Sequence, residues 1–181
     1  MKIVSTNIGE QREVEWKGKT ITTGIFKKSV SGPIFLDVET VKGDAICNRE
    51  YHGGIDQAVY GYSLKHYDYW KELYPNQDWE YGMFGENLTI DDLEETQIHV
   101  GDTFKVGEVI IEVTKPRQPC EKLAMKFDTR KIVPQFTRST MSGIYFKVLQ
   151  TGHVQAGDVL QQIKSCPENP TIAEVYKEKN L

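Results

Sequence analysis

The sequence predicts a mainly β fold, either a barrel or a sandwich, with a few helices around it. Short strand-like runs dominate the first third of the chain, and turn residues such as Gly18, Gly24 and Gly32-Pro33 separate them. Many short strands joined by turns are typical of barrels and sandwiches. The predicted strands lie at residues 2–5, 12–16, 20–23, 34–38, 57–62, 98–106, 108–114, 142–149 and 158–163.

Apart from a short helical pattern after Cys120, helical patterns occur at three places between and after these strands. Ser63 is a typical capping residue, and apolar side chains then follow one helical face over 64–74 until Pro75. That aromatic stripe indicates core packing. A second stretch, 128–140, is interrupted by Pro134, and a capping box that begins at Thr171 predicts a helix over 171–179.

Composition limits the classes of protein that this chain can represent. With 181 residues, 39% hydrophobic and 27% charged, it resembles one soluble globular domain. No apolar run has the length of a membrane span, and the N-terminus lacks a signal-peptide core, so we expect a cytoplasmic protein without a membrane partner. The net charge of −4 argues against nucleic-acid binding. Three scattered cysteines predict neither a disulfide framework nor a zinc site of the CxxC type.

Cys120 is the strongest candidate for chemistry. It follows the buried-strand pattern of 108–114 and the stiff segment from Pro116 to Pro119, and it opens a short helical pattern. Residues 115–126 contain four basic side chains and one acidic one, a local balance of +3. Positive charge and a helix start both favour a thiolate, although a lone cysteine is also commonly inert core filler.

Other segments offer groups that suit an anionic ligand, each with a structural alternative. The loop Lys27-Lys28-Ser29 provides two ammonium groups and a hydroxyl, or is simply solvated. The Gly53-Gly54 pair permits close backbone approach to a ligand, or forms an ordinary turn. Glu86 and Asn87 bond a ligand or satisfy a bend. The spacing of His52, Asp56 and His66 fits no common metal site, which favours structural histidines.

Several motifs in this order resemble the MOSC domain, the module named for the C-terminal part of molybdenum cofactor sulfurase. The motifs are Lys27-Lys-Ser29, His52-Gly-Gly-Ile-Asp-Gln-Ala-Val-Tyr60, Phe84-Gly-Glu-Asn-Leu88, Gly101-Asp102, Pro116-Arg-Gln-Pro-Cys120 and Gly143-Ile-Tyr145. The resemblance is greatest to a small bacterial subgroup linked to resistance against N-hydroxylated base analogues such as 6-hydroxylaminopurine, and it covers residues 1–165.

The resemblance implies a closed, mostly antiparallel β-barrel with a few peripheral helices. It places a MOSC domain at 1–165 and a short helical tail at 166–181. Longer members of the subgroup continue into a C-terminal three-helix module, whereas this sequence shows one candidate helix there.

The resemblance also implies a molybdenum cofactor, in which a pterin dithiolene holds the metal. Cys120 corresponds to the family's characteristic cysteine, which makes it the expected catalytic residue and metal ligand, and a thiolate suits soft molybdenum. The phosphate of the cofactor needs fixed positive charge and backbone donors. The expected cofactor-binding residues are Lys27, Lys28, Ser29, His52, Gly53, Gly54, Gln57, Asn87 and Arg117.

Three functions are consistent with these residues. The first is a molybdenum-cofactor-dependent reductase of small N-hydroxylated compounds. It requires a separate electron-donor protein because the chain has no flavin, nicotinamide or iron–sulfur motif. The second is a sulfur carrier with a persulfide on Cys120, and the third is a non-catalytic carrier of the cofactor.

Overall fold

The structure, a computed structural model, describes residues 1–45 and 53–180 and is mainly β with a few helices. Its strands are β1 (Ile3–Gly9), β2 (Arg12–Trp16), β3 (Lys19–Thr23), β4 (Lys27–Ser29), β5 (Ile34–Leu36), β6 (Val59–Ser63), β7 (Leu88–Ile90), β8 (Thr103–Val106), β9 (Val109–Pro116), β10 (Ile144–Gln150), β11 (Gly152–Val154) and β12 (Gln161–Lys164). Its helices are α1 (Leu64–Leu73), α2 (Glu121–Lys126), α3 (Ile132–Ser139) and α4 (Ile172–Asn180), and a 3-10 turn covers Ile55–Gln57.

The main sheet is mixed and has eight strands in the order β12-β8-β9-β10-β6-β7-β1-β4. Its neighbours are antiparallel except β6 and β7, which run parallel. The pairs β11–β5 and β2–β3 form two small sheets. Within the described ranges, β12 and β4 remain the two edges of the main sheet, and a single bridge, Lys2 to Val159, links the start of β1 to the segment before β12. The mainly β class with few helices is confirmed, whereas the closed barrel is not, because one bridge is not a strand ladder.

Two hydrophobic clusters lie on this framework. The first, called the aliphatic cluster because most of its side chains are aliphatic, is built by the central strands around Val59, Ile111 and Ile144. The second is aromatic and joins α1, α2 and α3 to β6 through residues such as Trp70, Phe84 and Phe136. The sequence interpretation of the α1 stripe as core is confirmed for Tyr67 and Trp70, which are buried, but Leu73 on the same predicted face is 43% exposed.

The helix termini follow local chemistry. Ser63 occupies the N-cap of α1, yet its hydroxyl makes no capping bond and finds no partner among the described residues. Pro134 lies in the first turn of α3, where a missing N–H is tolerated, so the predicted break becomes a helix start. The capping box at α4 forms as predicted, because Glu174 N donates to Thr171 Oγ1 (3.2 Å) and Thr171 N donates to Glu174 Oε2 (2.8 Å).

The tail helix α4 packs onto the rest of the molecule. Ile172 belongs to the aliphatic cluster, and the Tyr176 hydroxyl donates to the carbonyl of Phe136 at 3.2 Å. The backbone N–H of Ile172 donates to Ile98 O at 2.9 Å. The boundary between 1–165 and 166–181 stays a prediction. None of the helices in the described ranges is long and apolar enough to cross a membrane.

Candidate functional site

A cleft opens where the loop after β3, strand β6, the end of β9 and the start of β10 meet. It combines cationic, amide, phenol and thiol groups on walls that are otherwise backbone and small side chains. The described residues that line it are Thr23, Gly24, Ile25, Lys27, Asp44, Ala45, Gly53, Gln57, Ala58, Tyr60, Gly85, Asn87, Arg117, Cys120, Lys122 and Tyr145.

Strand β9 delivers Arg117 and Cys120 to this cleft. The strand is held by β10 up to the pair Ile144–Pro116, after which Pro116 and Pro119 limit the backbone to a short extended connection. Cys120 is half-buried and has extended backbone angles, and its carbonyl accepts from Leu123 N at 3.0 Å to start α2. The predicted strand, turn and helix around Cys120 are therefore confirmed, although α2 has only six residues.

Arg117 is a buried cation, 5% exposed. Its Nη1 donates to the carbonyl of Phe84 at 2.6 Å, and its guanidinium lies 5.1 Å from the ring centre of Tyr60. Among the described residues no carboxylate forms an ion pair with it. Burial alone would lower the pKa of Arg117, but the neighbouring Tyr60, Cys120 and Tyr145 outweigh burial and raise it. The guanidinium therefore stays charged and electrostatically favours an anion beside it.

Lys27 differs from Arg117 because its charge is already balanced. Its ammonium forms a buried ion pair with Asp44. The same carboxylate accepts from Asn87 Nδ2 at 2.9 Å and from Gly9 N at 2.8 Å. Burial lowers the pKa of Lys27, and Asp44 opposes that effect. Lys27 and Asp44 thus form an internal pair in the cleft wall, and Arg117 is left as the buried cation that can attract a ligand.

Glu86 holds the turn at residues 82–85, which contains the carbonyl of Phe84 to which Arg117 donates. Its carboxylate is fully buried and accepts from Gly82 N (2.9 Å), Phe84 N (3.0 Å) and Thr89 Oγ1 (2.9 Å), and also from the hydroxyl of Tyr67. These bonds satisfy the bend, which was one of the two interpretations of Glu86. The neighbouring Asn87 instead lines the cleft, and its Oδ1 accepts from Tyr60 N at 3.2 Å.

The structure brings six of the nominated residues together in one cleft. They are Lys27, Gly53, Gln57, Asn87, Arg117 and Cys120. Their roles in binding a cofactor and in catalysis stay predictions.

The other nominated residues lie elsewhere. Lys28 and Ser29 line a separate groove with Lys71, Trp79 and Tyr81. Alternation of side chains along β4 turns Lys28 away from the face of Lys27, whereas Ser29 lies at the end of the strand. Gly54 precedes the 3-10 turn and does not line the cleft. His52, and with it a metal set that includes His52, lies outside the described residues.

Three lining residues carry functional groups to which sequence reasoning gave no role. Tyr60 and Tyr145 face each other across β6 and β10, with ring centres 5.1 Å apart. Asp44 follows Gly43 in a loop, and its role depends on Lys27, 17 positions away. Tyr145 lay within a resemblance motif, but only strand pairing places it beside Tyr60.

His66 has a structural role, as the sequence favoured. Its Nε2 lies 2.8 Å from Glu95 Oε2, and the other oxygen of Glu95 accepts from Gly143 N at 2.8 Å. In residues 1–45 and 53–180, no three His, Cys, Asp or Glu side chains group closely enough to hold a metal ion.

Comparison with known proteins identifies the family of this chain. The sequence profile of the MOSC domain matches residues 48–161, more than half of the chain. The chain belongs to the MOSC domain family. Among MOSC relatives, it is 37% identical to YflK of Bacillus subtilis over 159 residues and 34% identical to YiiM of Escherichia coli over 143 residues. It spans 72% of the length of YflK and 64% of that of YiiM.

A third relative is longer still, and solved structures support the fold. The chain is 33% identical over 150 residues to a Gibberella moniliformis protein named Reductase, of which it spans 27%. The crystal structure of YiiM from Geobacillus stearothermophilus superposes with a TM-score of 0.81 at 30% identity, covering 99% of this chain and 83% of that one. YiiM from Escherichia coli superposes with a TM-score of 0.74 at 28% identity, covering 97% and 76%.

Proposed function

We propose that this MOSC domain protein binds a molybdenum cofactor in the cleft and reduces small N-hydroxylated compounds with electrons from a separate donor protein. The observation that carries the proposal is the meeting of a half-buried thiol, Cys120, with a buried guanidinium, Arg117. A soft metal and an anionic group are the ligands that these two side chains favour.

The donor set of the cleft fits the cofactor. Cys120 would supply a thiolate ligand to the molybdenum of the cofactor. Arg117 and Lys122 supply positive charge for the phosphate, while the amides of Gln57 and Asn87 offer neutral donors and acceptors for the pterin. Lys27 contributes little net charge because Asp44 neutralises it.

When bound, the cofactor supplies the two-electron redox chemistry, and the protein supplies position and electrostatics. The bond from Arg117 to Phe84 O holds the guanidinium at a fixed place beside the thiol, so no reorganisation is needed when an anion arrives. Cys120 lies at the end of a strand that β10 holds, which fixes the sulfur relative to the cleft walls.

The names of one relative and of the family support a reductase that uses a molybdenum cofactor. That relative carries the name Reductase, although this chain spans only 27% of it. The name of the family refers to molybdenum cofactor sulfurase, which links the domain to the cofactor itself. The reductase activity, the substrate class and the donor protein belong to the proposal.

Elemental analysis with matched cysteine variants tests the proposal. Wild type, Cys120→Ala and Cys166→Ala are produced in a host that makes the cofactor, and molybdenum per protein and turnover of 6-hydroxylaminopurine with reduced viologen are measured. Cys166 is the control, since it is buried and lies beyond the cleft. We expect Cys120→Ala to lose molybdenum and activity, and Cys166→Ala to keep both.

Three results would contradict parts of the proposal. Equal molybdenum and turnover in Cys120→Ala and wild type would remove Cys120 from the site. Labelled sulfur on Cys120 of a wild type without molybdenum or turnover would identify a persulfide carrier instead. Wild type that holds molybdenum but never turns over would indicate a cofactor carrier.

A further inference from the structure

Reduction of an N-hydroxylated compound needs protons as well as electrons. The balanced reaction is R–NH–OH + 2 e⁻ + 2 H⁺ → R–NH₂ + H₂O, in which the N–O bond breaks. The electrons come from the donor protein or from reduced viologen. The departing oxygen must receive a proton, because hydroxide is a poor leaving group. The cleft therefore needs a side chain that can donate a proton, and this requirement rests on the proposed function.

Most polar groups of the cleft are already committed to internal contacts. Asp44 accepts hydrogen bonds from Lys27, Gly9 and Asn87, and its charge neutralises that of Lys27. The hydroxyl of Tyr60 donates its proton to the carbonyl of Ser142 at 2.8 Å. That proton is held by a buried backbone acceptor, so Tyr60 is poorly suited to protonate a substrate.

Tyr145 has a different hydrogen-bonding environment. It lines the cleft on β10 and is half-buried, and its ring lies 5.1 Å from that of Tyr60. The Arg117 guanidinium lines the same cleft and electrostatically opposes the rise that burial causes in the pKa of the Tyr145 phenol. An arginine side chain can only donate, so the guanidinium cannot take up the phenol proton, which remains available to a substrate. Within residues 1–45 and 53–180 no hydrogen bond donated by this hydroxyl is found.

We propose that Tyr145 is the proton donor to the oxygen that leaves the substrate in this cleft. The O–H bond of Tyr145 breaks as its proton bonds to the departing hydroxyl oxygen, and water leaves. The substrate nitrogen takes the second proton from solvent, and the phenolate is reprotonated from solvent. A phenol is a far stronger acid than water, so transfer to a departing hydroxide is downhill. The Arg117 guanidinium stabilises the phenolate that remains.

The state of Tyr145 before the reaction agrees with this role. Burial raises the pKa of the Tyr145 phenol, and Arg117 opposes that effect. The phenol is therefore protonated at neutral pH, as a donor must be. Arg117 stabilises the ionised form, so donation becomes easier in the presence of the guanidinium than burial alone would permit.

Kinetics of Tyr145→Phe test the proposal with Tyr60→Phe as a matched control. Phenylalanine keeps the ring and removes only the hydroxyl. We expect Tyr145→Phe to retain molybdenum and KM while kcat for 6-hydroxylaminopurine falls about 10²- to 10⁴-fold, the usual contribution of a general acid. Tyr60→Phe should lose stability and show a smaller loss of kcat. Lys122 also lines the cleft, and a larger loss of kcat in Lys122→Met than in Tyr145→Phe would overturn the proposal.

A second measurement does not depend on activity. Ultraviolet difference titration of cofactor-free wild type against Tyr145→Phe reports the ionisation of this phenol. We expect no phenolate from Tyr145 between about pH 6 and 9. A phenolate at neutral pH would exclude it as the donor.

The two proposals fail in different ways. Wild-type turnover in Tyr145→Phe would overturn the proton donor and leave the reductase intact. A wild type without molybdenum and turnover would overturn the reductase and the donor with it.

Discussion

At the scale of single residues, Lys126 connects the helix after Cys120 to the walls of the cleft. Its Nζ donates to Ile25 O at 3.2 Å and to Gly82 O at 2.5 Å. Ile25 lines the cleft, and Gly82 starts the turn that presents the Phe84 carbonyl to Arg117. The side-chain nitrogen of Lys126 therefore links the segments around Ile25 and Gly82 to α2.

Lys126 should also make stability depend on pH. Burial, with help from the nearby Arg117, Lys27 and Arg12, lowers its pKa from 10.5 to about 7, against the opposing charge of Glu86. Between these two pH values the unfolded chain binds a proton that the folded chain does not. The free energy of unfolding should therefore rise with pH above about 7.

Urea unfolding of wild type and Lys126→Met between about pH 7 and 9 measures this effect. The variant loses two hydrogen bonds, which lowers its stability at every pH. The difference between the two proteins should widen as pH rises, because only wild type gains stability from the Lys126 amine. Parallel curves would show that Lys126 keeps an ordinary pKa.

The residue scale also shows what a sequence can reveal about the site. Cys120 and Arg117 were predictable because prolines and basic residues surround them in the chain itself. Lys27 and Lys28 were indistinguishable as neighbours, and strand alternation sends one into the cleft and the other to a separate groove. Tyr145 lies in the cleft because β10 pairs with β6, and no local sequence pattern predicts that pairing.

At the scale of elements, the connection into β10 depends on a glycine. Gly143 has φ 66°, and a Cβ there would lie 2.6 Å from Gly61 O and 2.7 Å from the Tyr60 hydroxyl. Gly61 pairs with Ile144 between β6 and β10, so its carbonyl cannot move without disturbing that ladder. Gly107, in the turn between β8 and β9, has φ 59° but meets nothing within 4 Å of an added Cβ.

Gly143→Ala and Gly107→Ala therefore form a matched pair. Both incur about 1 kcal/mol of left-handed backbone strain. Only Gly143→Ala also pushes Tyr60 and the β6 backbone, so we expect it to cost at least about 2 kcal/mol more in urea unfolding. Equal losses of unfolding free energy in the two variants would show that the β6–β10 junction accommodates the added methyl group without further destabilisation.

At the scale of the whole molecule, the order of the strands in the sheet could not be predicted from the sequence. Turn residues and β-branched runs located most strands to within a few positions, since those signals are local. Sheet order depends on contacts between distant segments. The parallel pairing of β6 with β7 and the open edges at β4 and β12 depend on such contacts, which is why the expected barrel was not confirmed.

The two hydrophobic clusters should nevertheless unfold together, and α4 provides the test. Ile172 is fully buried in the aliphatic cluster. All three tryptophans, Trp16, Trp70 and Trp79, lie in or against the aromatic cluster. Strand β6 contributes Val59 to the first cluster and Tyr60 and Tyr62 to the second, so loss of one core removes support from the other.

Ile172→Ala should therefore destabilise the region around the tryptophans, although it lies in the other cluster. Removing a buried isoleucine side chain costs about 2–5 kcal/mol. If the molecule is one cooperative unit, the urea midpoints from tryptophan fluorescence and far-ultraviolet circular dichroism fall together by the same amount. Lys177→Ala, at an exposed position of the same helix, should leave both midpoints nearly unchanged. A shift in circular dichroism with unchanged fluorescence would divide the molecule into two units and separate the cleft's aromatic support from α4.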